Sequence, residues 1–464
     1  TCIRTLPSSS LATSRRPFRL GRVGVLVCSL AALLWPMLPA SSRQIEVHPA
    51  VVGNEEELER VANRLQPGDE LVLQGGVYSQ SGRRAVTAKG TPEHNIIIRA
   101  AAGQSPLLTR PFVEGGGQNN IEFVDCEYVV IRGLRFQGGS SGVRFIRGHH
   151  VTFEDCEIYD TQNNALTMNS GDCHAFVLRR NHIHHTGLSQ ARPTEGEGMY
   201  IGCHDGSCRT TDSWIESNYI HHLRGTSDGG NDGIEIKFGS SGNVVRNNVI
   251  HDTNLGRQYP GIFVYGGGPA INVVEGNAIW RAGEGIQVIS DALVQNNLIF
   301  DCVSTGITAA PHAAVPRMKN VTIVHNTIWN APIGARIRWG SATNMTFANN
   351  AVFCAEALCA ALDVTGVAEA RLRNNSIYGR LRGITVDQWR VFAAGEPAAT
   401  FVDPEHHDFW PRAGSALLGR ADSSLRAQRD FNGFPRAVPG DVGAYEAGER
   451  RLNPGWKIEP GFKH

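Results

Sequence analysis

The chain has 464 residues, 44 of them basic and 44 acidic, so its formal charge is zero; 41% are hydrophobic and 19% charged. That apolar share excludes wholesale disorder, and neutrality argues against a nucleic-acid binder, which carries a basic excess. Glycine is abundant at 52 residues without collagen's period, which implies many tight turns.

The first elements in chain order are an export segment and a cap. Residues 1–42 hold five arginines (Arg4, Arg15, Arg16, Arg19, Arg22), no acid, and an apolar run from Val23 to Leu38 that Pro36 interrupts and Ala40, Ser41 and Ser42 close. This layout predicts a secretory signal peptide, because the run is too short and too broken for a membrane span. Ser14-Arg15-Arg16-Pro17-Phe18 resembles the twin-arginine export motif. Without the segment, 39 basic side chains face 44 acidic ones, a charge of about −5. Residues 43–94 read as an N-terminal cap and first coil. Asn54-Glu55-Glu56-Glu57 has the form of a capped helix start, and Leu58, Val61, Ala62 and Leu65 follow at helical spacing. An amphipathic helix over 54–65 is therefore expected to plug one end of the fold.

Residues 95–390 are built on a repeat. The phrase Asn-x-Ile recurs at Asn181-His-Ile183, Asn218-Tyr-Ile220, Asn248-Val-Ile250, Asn277-Ala-Ile279, Asn297-Leu-Ile299 and Asn326-Thr-Ile328, then as Asn350-Ala-Val352 and Asn375-Ser-Ile377, at spacings of 20 to 37 residues. A second phrase follows it, as in Gly233-Ile-Glu-Ile236, Gly261-Ile-Phe-Val264 and Gly285-Ile-Gln-Val288. A third alternating stretch, such as Asn243-Val-Val-Arg246, precedes the next asparagine. Three short strands per unit, repeated along the chain, predict an all-β parallel β-helix. The Ile and Val positions should stack inside, and the asparagines should bond one another in a ladder. After about residue 390 the pattern gives way to sequence rich in Pro, Arg and aromatic residues, so residues 391–464 are expected to form an irregular C-terminal cover.

Cys203/Cys208 and Cys354/Cys359 each bracket four residues beside turn-like sequence. In an exported chain such pairs read as loop-stapling disulfides, with a zinc pair as the alternative.

Pro67-Gly-Asp-Glu-Leu-Val-Leu-Gln-Gly-Gly-Val-Tyr78, Asn95-Ile-Ile-Ile-Arg-Ala100 and Val129-Val-Ile-Arg-Gly-Leu-Arg-Phe136 resemble the opening coils of the pectate-lyase-like superfamily. Asp430-Phe-Asn-Gly-Phe-Pro-Arg436 with Asp441-Val-Gly-Ala-Tyr-Glu446 is similar to a tail found on many secreted right-handed β-helix proteins. The resemblance implies a right-handed solenoid over about residues 46–446. It implies little about chemistry, since that superfamily holds lyases, hydrolases, epimerases and adhesins.

Loop lengths single out one region. Most coils place six or seven residues between Asn-x-Ile and Gly-Ile, but three consecutive coils take 15 (Ile183 to Gly198), 13 (Ile220 to Gly233) and 11 (Ile250 to Gly261). Long loops on a rigid scaffold suggest a binding cleft. Alternation turns Tyr200, Glu235, Lys237, Phe263 and Tyr265 outward there, with Glu197 and Asp232 just before the glycines. The loops add Arg257, Tyr259, His222 and, beside the first cysteine pair, His204.

Two chemistries suit these residues. In β-elimination on a uronate polysaccharide, Ca²⁺ held by Glu197, Asp232 and Glu235 would neutralise the substrate carboxylate. Lys237 would then act as base, with Glu235, Tyr200 and Arg257 completing the catalytic set. Asp232-Gly-Ile-Glu-Ile-Lys237 with Gly242-Asn243 resembles the D-G-x-x-x-K…G-N segment of family nine pectate lyases, whose Asp contributes to a Ca²⁺ site. That family has further aspartates on the next coil, where this chain has Tyr259-Pro-Gly-Ile-Phe-Val264. In glycoside hydrolysis, two of the three carboxylates would serve as acid and as base or nucleophile. Under either reading Tyr265, Phe263, Tyr259, His222 and His204 would contact sugar. A non-catalytic glycan binder or adhesin is the third class. Ile183-His-His185, Ile220-His-His222 and Ile250-His-Asp252 stack in register and read either as turn residues or as metal ligands. A monomer acting on polysaccharide is expected, with no nucleic-acid partner and no membrane span after removal of the leader.

Overall fold

The computed structural model describes residues 42–49, 57–113, 117–189, 195–225, 230–253, 259–315, 317–355, 359–366, 370–385, 392–393 and 395–448. Residues 1–41 of the export segment, Asn54–Glu56 and Arg257 lie outside them.

Each coil contributes three parallel strands. One face stacks Leu166–Met168, Met199–Ile201, Ile234–Ile236, Pro260–Val264, Glu284–Val288 and Thr305–Ala309. A second stacks Val177–Arg179, Trp214–Glu216, Val244–Arg246, Asn272–Glu275 and Ala292–Gln295. A third is a separate 13-stranded sheet that includes His182–His184, Tyr219–His221, Val249–His251 and Ala278–Trp280. The predicted inward positions meet in register. Ile183, Ile220, Ile250, Ile279, Ile299, Ile328, Val352 and Ile377 form one continuous buried stack. Parallel coils place identical positions about 4.8 Å apart, so this β-branched column packs without gaps.

The recurrent asparagine is a ladder. Asn248 Oδ1 accepts from the Asn218 backbone N and Nδ2, both at 2.9 Å; Asn248 Nδ2 donates to Ile215 O at 2.9 Å and to Asn277 Oδ1 at 3.0 Å. The pattern runs from Asn181 to Asn375, and Cys156 stands where the ladder begins, its N–H donating to Asn181 Oδ1. The residue before each ladder asparagine turns the corner with positive φ, as at Arg180, Ser217, Asn247, Gly276, Asn296, His325, Asn349 and Asn374. A primary amide suits this place because it supplies donors and an acceptor to a corner that strand pairing leaves unsatisfied.

The helix forms over Glu57–Ala62 and buries Leu58, Ala62 and Leu65 against the first coils. The tail is an irregular cover, with one short antiparallel pair, Phe401–Asp403 with Asp408–Pro411. It packs along the outer side of the 13-stranded sheet: Phe401, Phe409, Trp410, Phe431 and Tyr445 share a second core with Val249, Trp280, Phe300, Trp329 and Phe353. The tail motif is its clasp. The fully buried Arg436 guanidinium bonds Asn296 Oδ1 and the carbonyls of Gly443 and Ala444, each at 2.8 Å, while Asp430 accepts from the N–H groups of Asn432, Phe434 and Glu446. Both predicted disulfides, Cys203–Cys208 and Cys354–Cys359, are present. Among the described residues no helix is long and apolar enough to cross a membrane.

Two expectations follow. Asn248→Leu removes the acceptor of the Asn218 backbone N–H and the amide donor to Ile215 O, while Asn277 Oδ1 keeps the Asn248 N–H and Asn218 Nδ2 keeps Leu178 O; it should cost about 3 kcal/mol in urea denaturation. His325, buried beneath the tail with Nε2 3.1 Å from Asn349 Nδ2, is held well below its ordinary value of 6.5 by burial and then by Arg436. Its neutral form is native, so its contribution is complete above about pH 6.5 and is lost as acid protonates the unfolded chain first. Denaturation between pH 7.5 and 5 should show His325→Asn removing a loss of about 1.4 kcal/mol per pH unit below 6.5.

Candidate active site

The coil corners place the acids. Gly198 N donates to Asp232 O at 2.9 Å and Gly233 N to Pro260 O at 3.2 Å, so the positions before these glycines form one column: Asn164, Glu197, Asp232, Pro260, Glu284, Thr305. Glycine is required at positions 198 and 233, where an added Cβ would collide with the next coil's carbonyl and with an isoleucine methyl of the third face. The backbone at Gly230 leaves no room for a side chain above the Glu197 carboxyl. The outward column of the same face is Thr167, Tyr200, Glu235, Phe263, Gln287, Thr308.

Glu197, Asp232, Glu235 and Lys237 are 0%, 3%, 2% and 3% exposed. They are a closed cluster, not the open floor expected from alternation, and aromatic rings lie against Lys237. The Lys237 ammonium lies 4.2 Å from the centre of the Tyr200 ring and 5.1 Å from that of Tyr265. Phe263 stacks on Tyr265 at 4.2 Å, and His312 and His204 meet Tyr265 edge-on at 4.9 and 6.1 Å. Tyr200 and His312 are half-buried and His204 is exposed, so they form the rim.

Lys237 Nζ donates to Glu235 Oε1 in a buried ion pair. One ammonium against three carboxylates leaves charge uncompensated. Among the described residues, both oxygens of Glu197, Oδ1 of Asp232 and Oε2 of Glu235 have no hydrogen-bond partner. Burial pushes the Glu197 and Asp232 carboxyls well above the usual range, and the negative Glu235 adds to it. Burial also raises Glu235, against the pull of Lys237. Tyr200 and Tyr265 are pushed up by burial and by Glu235.

Of the residues singled out in the sequence, Glu197, Asp232, Glu235, Lys237, Tyr200, Phe263, Tyr265 and His204 come together. Tyr259 borders them through its carbonyl, which accepts from Glu284 N at 2.9 Å. His222 does not join them: its ring stacks on His185 at 5.4 Å beside His251, at the edge of the 13-stranded sheet. Its positive φ of 54° makes it a turn residue. Sequence reasoning missed Glu284 and His312. Glu284 precedes Gly285 as Asp232 precedes Gly233, so the repeat alignment contained that signal. His312 arrives from an excursion outside the repeat, without such a signal.

The profile of the right-handed β-helix region matches residues 93–228 and 197–352, which together span more than half the chain. The chain belongs to this family. Its solenoid is similar to the crystal structure of an alginate lyase from Paenibacillus sp. str. FPU-7 at 22% identity, with a TM-score of 0.50 over 65% of this chain and 97% of that one. It is also similar to pectate lyase Pel9A (15% identity, TM-score 0.51, 88% and 97% covered) and to XylC in complex with xylose (10%, 0.57, 87% and 98%). At these identities the likeness is one of fold. No curated protein sequence matches this one.

The stranded carboxylates give a prediction. A carboxyl raised in the native state favours folding below its unfolded value, and that contribution is lost as pH rises through the native one. Glu197→Gln should therefore raise the melting temperature at pH 8 and change it far less at pH 5, in scanning fluorimetry with chelator present.

Proposed function

We propose that this protein is an exported polysaccharide lyase that cleaves a uronate-containing glycan by β-elimination. The observation that carries the reading is the buried cluster of Glu197, Asp232 and Glu235 around Lys237 beneath an aromatic rim. Alginate and pectate lyases among its structural neighbours support it at the level of fold, and two disulfides suit export to an oxidising compartment.

The carboxylate oxygens without partners have the chemistry of a hard-cation site, so Ca²⁺ fits Glu197, Asp232 and Glu235. When bound, it would neutralise a uronate carboxylate and so acidify the neighbouring C5 proton. Lys237 takes that proton as the neutral amine, after its ammonium has passed a proton to water and left its pairing with Glu235. Tyr200 and Tyr265 hold the amine in place and keep water from it. Electrons from the C5–H bond form the C4=C5 double bond as the C4–O bond breaks, and the leaving oxygen takes a proton from the Tyr200 phenol or from water. Tyr265, Phe263, Tyr259 and His204 border the sugar, and Arg257 would grip a carboxylate from its loop.

A second reading has its own support: the raised carboxyls of Glu197 and Asp232 are suited to general-acid work in glycoside hydrolysis.

The test is incubation of the purified chain with uronate and neutral glycans, with Ca²⁺ or with chelator, following ultraviolet absorbance of unsaturated ends alongside reducing ends. Unsaturated ends should appear, fall sharply with chelator, and drop about 100- to 10,000-fold in Lys237→Ala. Reducing ends without absorbance would make the protein a hydrolase. Glycan binding without any product would make it a binder.

A further inference from the structure

The 13-stranded sheet carries a second cluster that the proposed reaction does not use. On three successive coils the outward positions are Glu157 and Tyr159, then His182 and His184, then Tyr219 and His221, paired in register. The rings stack: Tyr159 on His184 at 5.2 Å, His184 on His221 at 5.2 Å, His221 on His251 at 5.1 Å and His251 on Trp280 at 4.5 Å. Stacking alone needs only flat rings, and Trp280 with Phe300 continues the column beneath the tail. The placement of the nitrogens goes beyond it.

Glu157 Oε1 lies 3.2 Å from His184 Nε2 and 3.6 Å from His182 Nδ1, and the three residues offer ligand atoms within 4.8 Å of one another. Each donor is fixed from behind. His182 Nε2 meets His221 Nε2 at 2.8 Å, His184 Nδ1 meets His185 Nδ1 at 2.7 Å, and Arg135 holds Glu157 Oε2. The outer contacts thus leave one nitrogen of each ring and one carboxylate oxygen facing a common point. Metal-ligating histidines are held in this way, the opposite nitrogen engaged so that tautomer and ring angle are set. The side chains of Glu157, His182 and His184 are 23%, 33% and 14% exposed, so an ion can enter and water can complete its coordination.

We infer that Glu157, His182 and His184 form a binding site for a borderline divalent transition ion such as Zn²⁺, separate from the acidic cluster. Two imidazoles and one carboxylate suit that class of ion, whereas the all-oxygen cluster suits Ca²⁺. The neighbouring group of His222, His251 and Asp252 does not compete. Arg281 engages both Asp252 oxygens at 2.8 and 2.7 Å, and the two His251 nitrogens go to Asp252 at 2.6 Å and to the Tyr219 hydroxyl at 3.1 Å.

The untagged full chain, stripped with chelator, would be titrated with Co²⁺ followed by visible absorption, then with Zn²⁺ in competition and by calorimetry. One ion per chain at micromolar affinity or tighter, with a cobalt d–d band that Zn²⁺ abolishes, is expected. His182→Ala and Glu157→Gln should remove the band. His221→Phe, which keeps the stack and loses the nitrogen, should weaken binding about 10- to 100-fold. Glu197→Gln should leave it unchanged. Circular dichroism identifies any variant that fails to fold, and the wild-type titration decides without variants. Absence of a stoichiometric site in the wild type, or a band that survives in folded His182→Ala and Glu157→Gln, overturns the inference.

Discussion

Coil stacks on coil in fixed register, so whatever a position needs it must obtain from the same position one rung away. A corner that leaves backbone groups without strand partners recurs throughout the solenoid, and the asparagine amide answers it because each side chain both gives to and takes from its neighbour. The inner Ile column and the corner glycines follow from the same constraint. A β-branched side chain fits its own copy, and at Gly198 and Gly233 an added Cβ would meet the next coil's carbonyl.

Register also concentrates chemistry. Carboxylates before two successive glycines, with a third three residues further along one strand, become neighbours, and in the folded chain all three are buried. The result is a set of oxygens without partners, costly unless a proton or a cation joins them. On another face the same repetition yields the opposite outcome. Histidine stacks on histidine, and the nitrogens at the ring edges bond one another and Glu157.

The tail shows how a solenoid face is used. Aromatic residues beside the inner Ile column, Trp280, Phe300, Trp329 and Phe353, point away from the core and would be exposed without it. The buried Arg436, bonded to tail carbonyls and to Asn296 of the solenoid, fastens the cover there. The Asp430 and Arg436 positions of the tail thus serve its packing onto the solenoid.

The repeat determined the strand positions, the inner stacks, the asparagine ladder, and the neighbourhood of Glu197, Asp232, Glu235 and Lys237, and cysteine spacing pointed to the disulfide pairs. The repeat features depend on aligning recurrent phrases along the chain, where alignment in sequence is register in space. Only the tertiary structure decided that those outward residues are buried, that Lys237 pairs with Glu235, that His312 reaches Tyr265 and that His222 belongs to a different face. It alone showed Glu157 and His182 converging with His184. Burial and side-chain convergence depend on what excursions outside the period place over a face and on how rings turn about their χ angles, and neither is encoded in the spacing of the repeat.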